Sequence, residues 1–302
     1  MKLKEKLITV LAVFVLLLLL AGAGFGNGGR AVAGDITPDA GTKTKDDIKR
    51  LGGIETRMPE NSALVFFRST LGKKLSGYKA YGSQDEVLCA LRTGEIDAMW
   101  CCDVTADYLC RKYDFLRKFD TGDMSDIENT STVRLLFGMA LRDDERGNSL
   151  KDEINGAIAE MKSDGRLEYL KENYIDRAEL LSEDNKEIPM YRESDMKSSE
   201  CDGGTICIGL SGAVMPLELL DESGNPYGFC VAFADEIGRI LDKRVNFEVL
   251  DNETIFTSLM SGRIDAVLTY GTGNITTEGT RKYIMTDGYY TMERYMFLGM
   301  EN

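Results

Sequence analysis

The chain has 302 residues, of which 36 are basic and 50 are acidic, so its formal net charge is −14. This acidic balance argues against nucleic acid and anionic membrane surfaces as partners, because both attract cations. The sequence contains no histidine, which removes the commonest general base, the commonest metal ligand and every Ser-His or Cys-His nucleophile arrangement. The absence of histidine therefore argues against a hydrolase.

Residues 1–34 predict a signal peptide. Three lysines precede the apolar run Leu7 to Leu20, and Ala31 to Ala33 forms a cleavage site of the A-x-A type. Ala21 to Ala23 is a competing site closer to the apolar run. Extended to about Phe25, the apolar run is also long enough to span a bilayer, so an uncleaved N-terminal anchor is the alternative. The charged, threonine-rich residues 35–50 are predicted to form a tether.

One pattern occurs twice without a gap. Residues 90–98 read ALRTGEIDA and residues 258–266 read SLMSGRIDA. In each copy a predicted helix ends at the glycine, Gly94 or Gly262, and an apolar strand follows. A repeated order of helix, glycine cap and buried strand predicts an α/β protein with two related units and mainly parallel sheets.

A polar segment divides the two units. Residues 176–204 are rich in Glu, Asp, Ser and Lys and are predicted to form an exposed acidic linker. The α/β domains on either side are predicted to cover residues 51–175 and 205–302.

The cysteine count is seven, which leaves at least one thiol without a partner in the chain. Cys201 and Cys207 flank a short Asp-Gly-Gly turn and are the predicted disulfide. Cys101, Cys102 and Cys110 lie near one another but lack the paired C-x-x-C motifs and the histidine of a typical zinc site.

Four segments of the C-terminal part carry a family likeness. They are the strand Ile206–Gly209, the turn Met215–Glu218, the hairpin Asp221–Phe229 and the stretch Thr276–Tyr290. Together they resemble the first lobe of the family 3 extracellular solute-binding proteins. The resemblance implies a two-lobed α/β fold of the type II periplasmic binding protein class, in which each lobe is a mainly parallel sheet flanked by helices.

The N-terminal part is similar to the second lobe of the same family. Gly94–Ala98 is one copy of the repeated pattern, Phe137–Arg142 resembles a late strand, and Leu150–Tyr174 matches the closing helix pair. The family order is first lobe and then second, so the order is swapped here. Two explanations stay open: a circular permutation in which 176–204 joins the former ends, or a fragment or fusion of tandem binding domains.

The resemblance implies an extracytoplasmic protein, in the periplasm or at the cell surface, that is secreted or anchored at its N-terminus. Such a protein is expected to be no enzyme and to carry no metal and no cofactor, because binding is its whole activity. It captures a small polar solute, an amino acid or a related metabolite, in a cleft between its lobes. It acts as a monomer and passes the solute to the permease subunits of an ABC transporter. The alternative is a membrane-tethered ectodomain that senses a ligand in signal transduction.

The resemblance also implies which residues contact the solute. Thr56, Asn274 and Thr276 are expected to donate hydrogen bonds from turns at helix starts, with plain helix capping as the alternative. Arg57 is a candidate cation. Tyr270, near the end of a strand, is expected to line the cleft.

In the family, two charged residues bind the charged groups of the ligand, and both positions hold uncharged residues here. Gly279 stands where the family has its carboxylate-binding arginine, and Arg281, a further candidate, lies about 200° away round a helix. Cys102 stands where the family has an aspartate for the ligand's ammonium group. The adjacent Asp103 either shifts into that place through a one-residue bulge or begins the next helix. We therefore expect few or none of the common α-amino acids to bind.

Trp100 is expected to be a core residue.

Overall fold

The computed structural model describes residues 45–54, 60–71, 75–119, 135–182, 187–188, 190–251, 254–271, 283–292 and 295–301. Its strands are β1 (Arg50–Ile54), β2 (Gly77–Tyr81), β3 (Ala98–Cys102), β4 (Leu116–Lys118), β5 (Leu135–Arg142), β6 (Thr205–Leu210), β7 (Leu219–Leu220), β8 (Pro226–Tyr227), β9 (Arg244–Val249), β10 (Ala266–Gly271), β11 (Tyr283–Met285), β12 (Tyr290–Met292) and β13 (Tyr295–Met300). Its α-helices are α1 (Glu60–Leu71), α2 (Gln84–Arg92), α3 (Asp103–Lys112), α4 (Glu145–Ser163), α5 (Arg166–Lys171), α6 (Phe229–Leu241) and α7 (Ile255–Ser261).

Two sheets of the same design form the frame. The first has the strand order β2-β1-β3-β13-β4, and the second has the order β11-β5-β10-β6-β9, with β12 also paired to β5. Among the described strands, β13 alone runs against the others in the first sheet and β5 alone does so in the second. We call the first sheet with α1–α3 lobe A, and the second sheet with α4–α7 lobe B. The predicted two-lobed α/β fold with mainly parallel sheets is confirmed.

Helices cover both faces of the sheet in lobe A because neighbouring strand residues point to opposite faces. Ala98 packs with Phe67 and Leu71 of α1, which are four residues apart on one side of that helix. Met99, the next residue of β3, packs with Val87 of α2 on the other face. Lobe B follows the same plan, with α6 against one face of its sheet and α7 against the other.

The repeated pattern has the same structural role in both lobes. Gly94 and Gly262 have φ angles of 69° and 80°, which a residue with a side chain rarely adopts. The aspartate of each copy then accepts a hydrogen bond from a backbone amide of the neighbouring strand. Asp97 Oδ2 lies 2.8 Å from the nitrogen of Arg50 in β1, and Asp265 Oδ2 lies 2.9 Å from the nitrogen of Cys207 in β6. The pattern thus fixes β3 to β1 and β10 to β6.

Each sheet contains strands from both parts of the chain. The strand β5 pairs with β10, and α4, which follows β5, packs on α6, so this segment belongs to lobe B. The strand β13 pairs with β3 and β4 and belongs to lobe A. The predicted ranges 51–175 and 205–302 therefore do not coincide with the lobes, because backbone pairing, and not position along the chain, decides which sheet receives a strand.

The segment 176–204, expected to be an exposed linker, is partly buried and docked on lobe B. Asp235 of α6, itself buried, accepts hydrogen bonds of 2.7 Å from the Tyr191 hydroxyl and from the Ser198 backbone amide. Met196 joins the apolar core of the lobe. A buried carboxylate needs such donors, so Asp235 gives this polar segment a fixed attachment.

The predicted disulfide between Cys201 and Cys207 is contradicted, because both residues are free cysteines. Cys207 packs with the cluster on the α7 side of the second sheet, and its Sγ lies 3.8 Å from Glu248 Oε1. Cys201 Sγ points instead towards the carbonyl of Gly238 in α6, which covers the opposite face. The sheet therefore separates the two thiols.

We expect Asp97→Asn to lower the free energy of unfolding by about 1 to 2 kcal/mol at pH 7, because an amide accepts hydrogen bonds less strongly than a carboxylate. Burial raises the pKa of Asp97, but hydrogen bonds from the Arg50 side chain and from the backbone amides of Arg50 and Lys49 outweigh it and hold that pKa below its ordinary value. A lowered folded-state pKa gives stability at neutral pH that is lost as the pH falls through the folded value.

Urea unfolding at a series of pH values is the measurement. The stability gap between wild type and Asp97→Asn should close below about pH 4. The control is Asp114→Asn, on an exposed turn of the same lobe, which should stay within about 0.5 kcal/mol of wild type at pH 7. A gap that persists unchanged in acid would contradict the assigned role of Asp97.

Candidate functional site

The carboxyl ends of the parallel strands of both lobes meet. In lobe A, β3 ends at Cys102 and α3 begins at once, and in lobe B, β6 ends at Leu210 and a turn covering residues 211–218 follows. The hydroxyl of Thr105, in the first turn of α3, donates a hydrogen bond to the carbonyl of Met215 in that turn. Because α/β sheets bind ligands outside the carboxyl ends of their strands, this junction is the candidate site.

Glu218 holds the lobe B side of the site. Its side chain is buried, and its Oε2 accepts hydrogen bonds from the amides of Ser211 at 3.0 Å and Gly212 at 2.9 Å and from the Ser211 hydroxyl at 3.2 Å. Its Oε1 accepts from the amide of Thr269 in β10 at 3.2 Å. Burial raises the pKa of Glu218, and these hydrogen bonds oppose that rise. One carboxyl group thus fixes the turn after β6 to the neighbouring strand β10.

Cys102 and Thr105 form the lobe A side. Cys102 Sγ lies 3.0 Å from the Thr105 hydroxyl. A carbonyl oxygen only accepts hydrogen bonds, so the Thr105 proton is used on Met215 and the Cys102 thiol must donate to Thr105. Burial raises the pKa of Cys102 although the contact with Thr105 opposes it, which agrees with a protonated thiol.

Asp103 begins a helix. It is the first residue of α3, and its Oδ1 accepts a hydrogen bond of 2.8 Å from the amide of Val104. The pairing of β3 with β13 runs from Met99 to Cys102 without a register shift, so this stretch has no bulge to move Asp103 into the Cys102 position. Of the two alternatives for Asp103, the structure has the helix start.

The aromatic residues near the site have packing roles. Trp100 lies in the lobe A core, where its Nε1 donates to the Tyr78 hydroxyl at 3.0 Å, as expected for a core residue. Tyr289 is buried, and its hydroxyl donates to the Leu268 carbonyl at 3.1 Å. Tyr290 of lobe B is half-buried. Burial, followed by the charges of Asp103 and Asp176, raises the pKa of Tyr290.

An apolar seam continues from the site along α3. Ala106, Tyr108 and Leu109 share one buried cluster with Ala178 and with two residues of lobe B, Leu219 and Tyr227. Cys102 and Val104 in turn join the main core of lobe B. The first two turns of α3 are therefore buried between the lobes.

Most of the predicted contact residues lie outside the described part of the chain. These are Thr56, Arg57, Asn274, Thr276 and Arg281. The backbone of Tyr270 is described, and it pairs with Gly138 of β5. The predicted signal or anchor at 1–34 is also outside the described residues, and no described helix is long and apolar enough to cross a membrane.

Glu218, Thr105 and Met215 were not predicted as site residues. The sequence signal for Glu218 is a single acid within the otherwise apolar run from Pro216 to Leu220. Thr105 carried no such signal, because its role depends on a partner 110 positions away along the chain.

The two sheets and the junction of their strand ends define a two-lobed α/β protein. Residues 206–300 match the family model described as bacterial extracellular solute-binding proteins, family 3. This match confirms, for residues 206–300, the resemblance predicted from the sequence. The matched family is described as extracellular and solute-binding.

Several solved structures are similar. The periplasmic VFT2 domain of Bordetella pertussis BvgS has 10% identity over 83% of this chain and 80% of that one, with a TM-score of 0.38. AbpA of Streptococcus pneumoniae, an amino acid ABC transporter substrate-binding protein bound to L-arginine, has 10% identity over 84% of this chain and 81% of that one, with a TM-score of 0.38. The L-cystine solute receptor of Neisseria gonorrhoeae has 26% identity, covers 22% of this chain and 28% of that one, and has a TM-score of 0.20. Among curated proteins no match was found.

We expect Glu218→Gln to destabilise the protein by about 1 to 3 kcal/mol, because one amide oxygen and one NH2 group replace two oxygens that face four donors. Urea unfolding measures this change. Glu222→Gln, an exposed change in the hairpin that follows, is the matched control and should stay within about 0.5 kcal/mol of wild type. Equal stability of the two variants would show that Glu218 does not hold the turn.

Proposed function

We propose that the protein captures a small polar solute, an amino acid or a related metabolite, between lobes A and B outside the cytoplasm. The observation that carries the proposal is the meeting of strand ends at Thr105 and Met215, since this is where α/β sheets bind ligands. The match of residues 206–300 to an extracellular solute-binding family supports it. In this proposal the protein is a monomer and passes its solute to ABC permease subunits.

The proposed solute contacts come from both lobes. The segment 55–59, which follows β1, and the segment 272–282, which follows β10, continue from strand ends at the same edges as Cys102 and Leu210. The residues proposed to contact the solute are Thr56, Arg57, Tyr270, Asn274, Thr276 and Arg281, whereas Asp103 begins α3.

The swapped lobe order supports a circular permutation as part of the proposal. A single chain supplies strands of both parts to both sheets, and residues 176–204, docked on Asp235, connect α5 to β6.

Thermal unfolding in the presence of single solutes tests the proposal. A ligand that binds only the folded state raises the melting temperature with its concentration. We expect small polar metabolites to produce this rise, and few or none of the common amino acids. A broad panel of polar metabolites and amino acids without any effect would contradict the proposed function.

Hydrogen exchange locates the binding. An effective solute should slow amide exchange in residues 102–105 and 211–215, one segment from each lobe. The control is α4, which packs on α6 within lobe B and whose exchange should change much less. Protection confined to one lobe would contradict an interlobe site.

A second candidate function is a membrane-tethered sensor, and the observation that favours it is the apolar run from Leu7 to Leu20. Mass spectrometry of the exported protein separates the two candidates. Loss of residues 1–33 favours the transport component. An intact N-terminus in the membrane fraction favours the sensor.

A further inference from the structure

Lobes A and B are joined by a hydrogen-bonded path made only of protein groups. The Cys102 thiol donates to Thr105, the Thr105 hydroxyl donates to the Met215 carbonyl, and Glu218 connects the start of the turn that contains Met215 to β10. We propose that Cys102, Thr105 and Met215 form a latch that holds the lobes closed when no solute is bound. The latch lies at the cleft of the proposed function, but its closing needs no ligand.

The latch is shielded from water. Thr105 is 3% exposed and Cys102 is 9% exposed. The seam of Ala106, Tyr108, Leu219 and Tyr227 adjoins them, and these residues are also buried. A hydrogen bond in such surroundings is costly to break, because opening the seam exposes apolar surface and the separated partners must find water.

The other end of α3 is also attached. Arg111 Nε lies 2.9 Å from Glu179 Oε2, and the Arg111 guanidinium donates to the carbonyl of Ile175 at 3.3 Å. Both partners lie in the segment that leads from α5 into residues 176–204. The Arg111 side chain is 38% exposed, so this ion pair adds little free energy. Its effect is on orientation, because it fixes the last turn of α3 while Thr105 fixes the first.

The lobe B partner of the latch is rigid. The amide of Glu218 donates to the Val214 carbonyl at 2.9 Å, which closes the turn around Met215. The Glu218 carboxyl group then ties the start of this turn to β10. Movement of Thr105 away from Met215 is therefore a movement of one lobe relative to the other, and not an adjustment of a loose turn.

Three threonine variants test the latch in protein freed of bound solute by unfolding in guanidinium chloride, dialysis and refolding. Thr105→Val keeps the side-chain shape and removes the hydroxyl. Thr105→Ser keeps the hydroxyl and should restore the latch. Thr93→Val is the matched control, because the Thr93 hydroxyl also bonds to a backbone carbonyl, that of Cys89 at 3.0 Å, but within lobe A at the end of α2.

Small-angle scattering and amide hydrogen exchange are the readouts. We expect solute-free wild type, Thr105→Ser and Thr93→Val to be closed. Thr105→Val should have a larger radius of gyration and about fivefold faster exchange of the amides in residues 213–218, the change expected for one hydrogen bond. A wild-type protein that is open without solute would overturn the latch proposal. A Thr105→Val variant that is as closed as the wild-type protein would also overturn it. If Thr105→Val does not fold, the wild-type measurement alone still decides.

The outcome is independent of the solute screen. A protein that is closed without solute and that binds none of the tested solutes would support the latch and contradict the proposed function. A protein that is open without solute and closes when a metabolite is added would support the proposed function and contradict the latch.

Discussion

Backbone pairing of β5 with β10 and of β13 with β3 is the constraint on which the rest of the structure depends. Each pairing brings a strand from one part of the chain into the sheet of the other. A sheet without these strands would expose a row of unpaired backbone groups at an inner position, which is costly. The two parts therefore fold against each other, and the carboxyl ends of β3 and β6 are brought to one junction.

The core of each lobe could be predicted from the sequence because its signals are local. The pattern around Gly94 and Gly262 contains the helix end, the buried isoleucine and the clamping aspartate within a few residues. The strand exchange could not be predicted in the same way. The sequence of β5 shows that it is a buried strand, but its partner β10 lies over 100 residues away and is selected by pairing geometry.

The polar segment 176–204 is partly buried for a related reason, because its partners are distant in sequence. Its composition predicts exposure, yet a few of its groups find buried partners on α6 and above all on Asp235. Composition averages over a segment, whereas docking depends on single residues such as Tyr191 and Ser198.

The missing disulfide between Cys201 and Cys207 also depends on where single residues lie in the fold. Cys201 and Cys207 are close in sequence, but one precedes the strand and the other lies within it, and they face opposite sides of the sheet.

The chemistry at the lobe junction follows from neutral groups in place of charged ones. A carboxylate at the position of Cys102 has no proton to donate and would compete with the Met215 carbonyl for the Thr105 proton. The Cys102 thiol instead has a proton to donate, so Thr105 can direct its own proton to Met215 and the two lobes contact each other directly. In the proposed function, a solute that enters the cleft replaces a bond between protein groups as well as water. The proposed site would then favour solutes with both a donor and an acceptor at the right spacing, since a solute that leaves Thr105 or Met215 unpaired bears the cost of a buried polar group.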